Sequence, residues 1–410
     1  MTVKIYVMIL AALGSLYTIF LNVVRRRSAN NPTPTNVADV YDAETYAKWK
    51  EYGAEHSRLE LIFSILTGVI TLAMLFTNVY AAFASLFGAS VFAQLLAVVI
   101  LETVVGFVVD IPRSYIAIMV IEQKYGFNRS SMKTFVADKI RSGILGFALS
   151  LALAWLMAVT HSWVGDYLIL LFAGVMFGVS MLITFLYPLF SRIGNKFVPL
   201  EDGELKDRLM ELLTKHGYRV KAIEVMDASR RTTKLDAYFT GFGKMKTIVL
   251  YDNLLNAMTP DEICAVFAHE LGHGLHKDVQ KMQILNIGYY LLIGVLVWLT
   301  VRDPLWCESF GFAGVNYGFA YVLVGIGLGV LQPLIGLLSN AVSRRAEYRA
   351  DRQAVKEGYG EAMITAFKKL ARDNFAHLSP SPINVVLEYS HPPMDRRIQE
   401  VENAMRELNQ

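Results

Sequence analysis

The stretch Thr259-Pro260-Asp261-Glu262-Ile263-Cys264-Ala265-Val266-Phe267-Ala268-His269-Glu270-Leu271-Gly272-His273 decides how the chain is read. Its first residues announce a helix. Thr259 suits the N-cap, Pro260 the first helical position, and Glu262 the carboxylate that reaches back in a capping box. On that helix His269 and His273 fall at i and i+4, one turn apart on one face, so both imidazoles reach a single ion. Glu270 stands beside the first histidine, placed to polarise a metal-bound water. This order of residues is a zinc-hydrolase pattern, in which the ion lowers the pKa of water and the glutamate takes its proton. With 8 histidines in 410 residues, chance explains such spacing on a capped helix poorly.

Zinc needs a third protein ligand and an open position for water. Val279 occupies the place where a longer motif would put a third histidine, and His276 is too close in sequence to serve. A better source is Ser343-Arg344-Arg345-Ala346-Glu347-Tyr348-Arg349-Ala350-Asp351, in a helix-favouring run. Glu347 and Asp351 are again i, i+4, so one face offers a ligand and a second carboxylate to hold a histidine N–H from behind. Spacing alone leaves a solvated face of Arg–Glu pairs equally open.

The wider chain is too apolar for a set of soluble domains, at 54% hydrophobic and 18% charged. Apolar runs of about 20 residues mark a polytopic membrane protein. They predict spans at 5–24, 59–83, 91–111, 143–159, 167–189, 284–301 and 316–338. The first run is followed by Arg25-Arg26-Arg27 without a small-residue cleavage site, so it reads as a retained span. Glu102 and Asp110 fall in or at the end of the third span and are expected to face a polar interior. Cys264 and Cys307 are expected to remain unpaired.

These motifs, with Ser390-His391-Pro392-Pro393-Met394-Asp395-Arg396-Arg397 near the C-terminal end, resemble those of the type I CAAX prenyl proteases. That family consists of membrane-embedded zinc metalloproteases with a HExxH…E site. The segments Glu122-Gln123-Lys124-Tyr125-Gly126-Phe127-Asn128 and Asn195 to Leu205 carry the resemblance further, and it spans Tyr41 to Ile398. It implies a mainly α membrane bundle of seven spans around a hydrated chamber, with a split zincin-like α+β domain on the cytoplasmic side. The expected division is 1–191 for spans one to five, 192–283 for the first part of the protease, 284–338 for spans six and seven, and 339–410 for the second part.

At the site, one Zn²⁺ bound by His269, His273 and Glu347 is expected, with Glu270 moving the proton and Asp351 behind a ligand. His391, ahead of two prolines, is the candidate to stabilise the oxyanion, because the family places its His-Pro motif near the site. Arg397 binds a substrate carboxylate, braces a ligand loop or is simply solvated. Residues 221–250 read as strands and turns, with strands at 222–226, 237–243 and 247–250. Asp236, Ala237 and Tyr238 resemble the family's edge-strand motif, which pairs with an extended substrate backbone. The family usually has Asn where this chain has Asp236, so no hydrogen bond can be donated from a side-chain amide there.

Seven spans put both ligand segments on one side. All but Lys4 and Arg302 of the 39 lysines and arginines fall on that side too, so it reads as cytoplasmic. The resulting expectation is a metalloendopeptidase in the bacterial inner membrane or the endoplasmic reticulum membrane. In eukaryotic members the resemblance implies removal of the last three residues of prenylated CaaX proteins. The alternatives are a membrane quality-control protease without prenyl specificity, and an inactive chaperone or scaffold. Expected partners are a peptide or protein substrate and the lipid bilayer, without nucleic acid.

Overall fold

The computed structural model describes residues 2–192, 194–218, 222–240 and 247–410. The N-terminal part is helical: α1 (Thr2–Ser28), α2 (Ala43–Thr77), α3 (Val79–Ala84), α4 (Val91–Ser114), α5 (Met132–Val164) and α6 (Leu168–Phe190). A mixed region follows with β1 (Phe197–Pro199), α7 (Glu204–Lys215), β2 (Ala222–Met226), β3 (Ala237–Thr240), β4 (Thr247–Tyr251), α8 (Asp252–Ala257) and α9 (Pro260–Leu275). Then come α10 (Asp278–Arg302), α11 (Leu305–Glu308), α12 (Tyr317–Lys356), α13 (Gly360–Asp373), α14 (Pro382–Leu387) and α15 (Met394–Leu408).

Among the described residues seven helices are long and apolar enough to cross a membrane: α1, α2, α4 with its continuation to Glu122, α5, α6, α10 and α12. Their number is the one the apolar runs predict, but their limits differ. The polar residues Ala43 to Tyr52 belong to the same 35-residue helix as span two, capped by Asp42, whose carboxylate accepts from the Thr45 amide at 2.7 Å. No proline lies between the polar and apolar halves, so nothing breaks the helix. Span two stops at Thr77 rather than Phe83, because Asn78 takes a left-handed conformation with φ 56°. Beyond Pro112, which lacks an amide proton, α4 loosens into π turns over Tyr115–Glu122. Finally α12 is one 40-residue helix that carries span seven and Glu347 together.

Small residues let the spans approach closely. A Cβ added to Gly294 in α10 would lie 2.5 Å from the carbonyl oxygen of Ile169 in α6. Between α1, α2, α4 and α12 remains a cavity of about 580 Å³ lined by Ser15, Glu60, Thr67, Glu102, Asp110 and Arg113. Glu102 accepts from the Tyr80 hydroxyl. Asp110 meets Arg113 at 3.0 Å and Lys139 at 2.6 Å. Both carboxylates thus line the cavity with polar partners, as their position in apolar runs requires. Cys264 and Cys307 are free and buried.

The sheet runs β1-β2-β4-β3, with β2 and β4 parallel and both outer strands antiparallel. β3 is an edge strand, pairing Ala237 with Leu250 through Thr240 with Thr247. It was expected to reach Gly243, and Gly241, Phe242 and Gly243 lie outside the described residues, as does Lys221. Helix α9 is buried between two cores. Ile263, Cys264, Phe267 and Leu271 pack with Leu209 and Leu213 of α7 and with Ile248 and Leu250 of the sheet. Ala265 and Ala268 pack with Ala354, Phe367 and Ile398 of the later helices. At about 1.5–3 kcal/mol for each large apolar side chain buried, these contacts hold the helix rigidly in place.

Candidate metal centre

The capping box read from the sequence is formed. The Thr259 hydroxyl accepts from the Glu262 amide at 3.4 Å, and Glu262 Oε2 accepts from the Thr259 amide at 2.7 Å. Lys369 adds an ammonium 2.6 Å from the same oxygen. Burial works to raise the Glu262 pKa, but Lys369 and the Thr259 amide outweigh it and hold the carboxyl below its ordinary 4.5. The start of α9 is therefore fixed three turns below its histidines.

Glycine at 272 lets α12 close on α9. A Cβ there would lie 3.0 Å from Ala350 Cα and 3.1 Å from Gln353 Cβ. This approach brings Glu347 over both histidines. His269 Nε2 and His273 Nε2 are 3.2 Å apart, and the Glu347 oxygens lie 3.5 and 3.4 Å from them. One donor atom from each of the three residues falls within 4.8 Å of the others. A tetrahedral ion at about 2.0–2.1 Å from its ligands sets the donors about 3.3 Å apart, so the group fits a zinc-sized cation. Arg397 Nη2 lies 3.2 Å from Glu347 Oε2, yet that buried oxygen accepts no well-angled hydrogen bond from a described residue. Burial disfavours a charged His273, but Asp278 and Glu347 prevail and push its pKa up to about 10. The cluster calls for positive charge between its donors.

Behind the donors stands a ring of carboxylates and arginines. Asp351, fully buried, lies 2.9 Å from His269 Nδ1. Arg397 holds Asp351 with two hydrogen bonds, of 3.0 and 2.6 Å. Its guanidinium rests on the Phe367 ring at 4.3 Å. Of the roles open to Arg397 from sequence, solvation is excluded: the residue is 8% exposed. Asp278, which the sequence does not single out, is the matching partner of His273, 3.1 Å from Nδ1, and Arg349 holds it from behind at 2.8 Å. Its only signal is position, five residues past the second histidine. Lys277, at φ 55°, turns the chain back so that Asp278 faces the ring.

His391 Nε2 is 3.3 Å from Glu347 Oε1, and its Nδ1 lies 2.9 Å from the Ser390 hydroxyl. Glu270 lies in the site beside the donors. The protein around it raises its pKa, the histidine charges lower it, and the Glu347 and Asp236 carboxylates raise it again, with a net upward shift. Asp236 is at the mouth of β3, its Oδ1 accepting from the Ala237 amide at 2.8 Å. Ala237 packs toward α9, while the Tyr238 ring joins Met226 and Val249 on the opposite face of the sheet. Of this motif Ala237 is on the α9 face of the sheet and the tyrosine ring is not.

Residues 23–192 match the family described as CAAX prenyl protease N-terminal, five membrane helices, and residues 199–405 match peptidase family M48. The chain is 30% identical over 403 residues to CAAX prenyl protease 1 of Saccharomyces cerevisiae, covering 89% of this chain and 87% of the yeast protein. It is 28% identical to the CAAX prenyl protease 1 homolog of Oryza sativa subsp. japonica, covering 95% of each. The crystal structure of S. mikatae Ste24p is similar in fold, with a TM-score of 0.90 and 26% identity over 98% of this chain and 99% of that one. With its seven long apolar helices and its His/Glu cluster on α9 and α12, the chain belongs to peptidase family M48, as a multi-pass membrane metalloprotease of the CAAX prenyl protease type.

Proposed function

We propose that the chain is a zinc endopeptidase that cuts near the C-terminus of prenylated proteins, with its site on the cytoplasmic side of the membrane. The convergence of His269 Nε2 and His273 Nε2, 3.2 Å apart, on the Glu347 carboxylate, with one oxygen 3.5 Å from the first and the other 3.4 Å from the second, supports the metal assignment most strongly. His269, His273 and Glu347 would hold the ion, which when bound supplies Lewis acidity and an acidified water. Glu270 takes one proton from the attacking water and passes it to the leaving amine as the C–N bond breaks. His391 donates a hydrogen bond to the oxygen that gains charge at the scissile carbonyl. Asp351 and Asp278 fix the two imidazoles, and the burial of Arg397 favours a brace for Asp351 and Glu347 over a contact with substrate. The free edge of β3 at Asp236, Ala237 and Tyr238 pairs with an extended substrate chain.

In this reading residues 1–191 and 284–338 form the membrane part, and 192–283 with 339–410 form the protease. Lys4 donates to Phe76 O and to Asn78 Oδ1, each at 2.7 Å, which accommodates one of the two cations on the far side. At the far turn between α5 and α6, Trp163 and Tyr167 are 80% and 77% exposed, as residues of an interfacial aromatic belt should be.

A second reading, cleavage of unprenylated membrane-protein segments, draws on Glu60, Glu102 and Asp110, which set charge among the apolar walls of the bundle cavity formed by residues such as Leu10, Phe63 and Val109. The test is cleavage of one farnesylated CaaX peptide and of its unprenylated twin by wild type and Glu270→Gln in detergent. Cleavage of the farnesylated peptide alone supports the first reading, and equal cleavage of both supports the second. Activity retained by Glu270→Gln contradicts the mechanism.

A further inference from the structure

Helix α14 ends against the flank of α12. The last carbonyls of a helix have no partner within it and must find one outside. Side chains of α12 meet that need. Asn340 Nδ2 donates to Leu387 O at 3.0 Å. Arg344 Nη1 donates to Val385 O at 2.8 Å and to Tyr389 O at 2.7 Å. From the other side α1 holds the same segment: Asn384 Nδ2 donates to Leu21 O at 3.1 Å, and Arg25 meets Glu388 at 2.6 Å.

His391 follows Tyr389 by two residues, and the Pro392–Pro393 pair beyond it removes backbone freedom. The imidazole therefore stands where the Tyr389 carbonyl lets it stand. Its Nε2 ends 3.3 Å from Glu347 Oε1. Arg344 and Glu347 are three residues apart on one continuous helix, neighbours on its surface. One rigid element thus carries both a metal donor and the clip on the loop that faces it.

We propose that Arg344 is a positioning residue for the peptidase reaction. By gripping the Val385 and Tyr389 carbonyls it fixes His391 relative to Glu347, so that the His391 donor meets the developing oxyanion. The inference rests on the oxyanion role given to His391 above. Arginine suits the task because its Nη1 carries two N–H donors held at a fixed angle in the guanidinium plane, one for each carbonyl, whereas lysine offers only a point charge.

The experiment compares wild type, Arg344→Met, Arg344→Lys, His391→Ala and the Arg344→Met/His391→Ala double variant in detergent on one cleavable peptide. It measures bound metal per chain, thermal midpoint, kcat and KM. Arg344→Met should lower kcat by about ten- to a hundredfold with metal content unchanged and KM within about twofold. In the His391→Ala background the same change should cost nothing further, since both act through one group. Arg344→Lys should recover part of kcat by remaking one bond. Equal factors in both backgrounds, loss of metal from Arg344→Met, or an unchanged kcat would each overturn the proposal. Wild-type kcat in His391→Ala would overturn it too, by removing the role of His391. That result leaves the metallopeptidase reading standing, because Glu270→Gln tests it separately.

Discussion

Gly272 and Ala350 touch so closely that a Cβ on the glycine would lie 3.0 Å from the alanine Cα. This contact sets the separation of α9 and α12, and hence the reach from Glu347 to the two histidines. Backbone cannot yield as a flexible side-chain end can, so Gly272→Ala must push the helices apart by a few tenths of an ångström. The expected result is a folded protein with weakened metal retention and kcat/KM lowered about tenfold or more. Metal analysis after dialysis against a mild chelator measures it. Wild-type retention would show that the contact does not govern the site.

Asp278 should matter as much as Asp351, although it is on another helix. Each carboxylate fixes the ring of one histidine, and loss of such a partner typically weakens metal affinity about ten- to a hundredfold. Asp278→Asn keeps the volume and removes the charge that Arg349 and His273 share. Competition against a metal buffer should show a drop in that range. An unchanged affinity would mean that His273 is held by packing alone.

The contrast between these two aspartates shows what the sequence could and could not reveal. Asp351 follows Glu347 by one helical turn, so periodicity alone places both on one face. Asp278 has no such relation to His273, because α9 ends at Leu275 and the chain reverses at Lys277, φ 55°. The apolar runs disclose the membrane helices, since about 20 residues must be covered by hydrocarbon. Helix limits are less legible: nothing between Ala43 and Thr77 breaks a helix, so hydropathy ends where α2 does not. The Arg344 clip joins residues 41 and 45 apart, and no local pattern announces it.

The edge strand has a similar distant support. Asn374 accepts from the Leu235 amide at 2.9 Å and donates to the Leu235 carbonyl at 3.1 Å, as a neighbouring strand would. Phe375 beside it is held at φ 51°, a costly conformation for a bulky residue, with its ring 4.8 Å from Phe127 and its carbonyl 3.2 Å from Trp49 Nε1. Asn374→Ala should loosen the approach to Asp236 and Ala237 and raise KM severalfold while kcat changes less. Steady-state kinetics on one peptide would decide, and an unchanged KM would detach the strand from substrate binding.

Glu262 gives the helix a pH dependence of known sign. Its folded pKa is below 4.5, so the carboxylate stabilises the fold above that pH and the contribution fades as pH falls through the lower folded value. Glu262→Gln should lower stability by about 1 kcal/mol near neutrality, as loss of a cap does. The gap in thermal midpoint between the two proteins should narrow as the pH is taken from 6 towards 3. A gap that widens on acidification would contradict the assignment.

The most direct test of the account is zinc bound per chain in purified wild type, Glu270→Gln and Glu347→Ala, each folded by the same thermal criterion. One zinc is expected in wild type and in Glu270→Gln, which keeps all three donors, and little or none in Glu347→Ala. A full zinc complement in Glu347→Ala, or none in wild type, would contradict it.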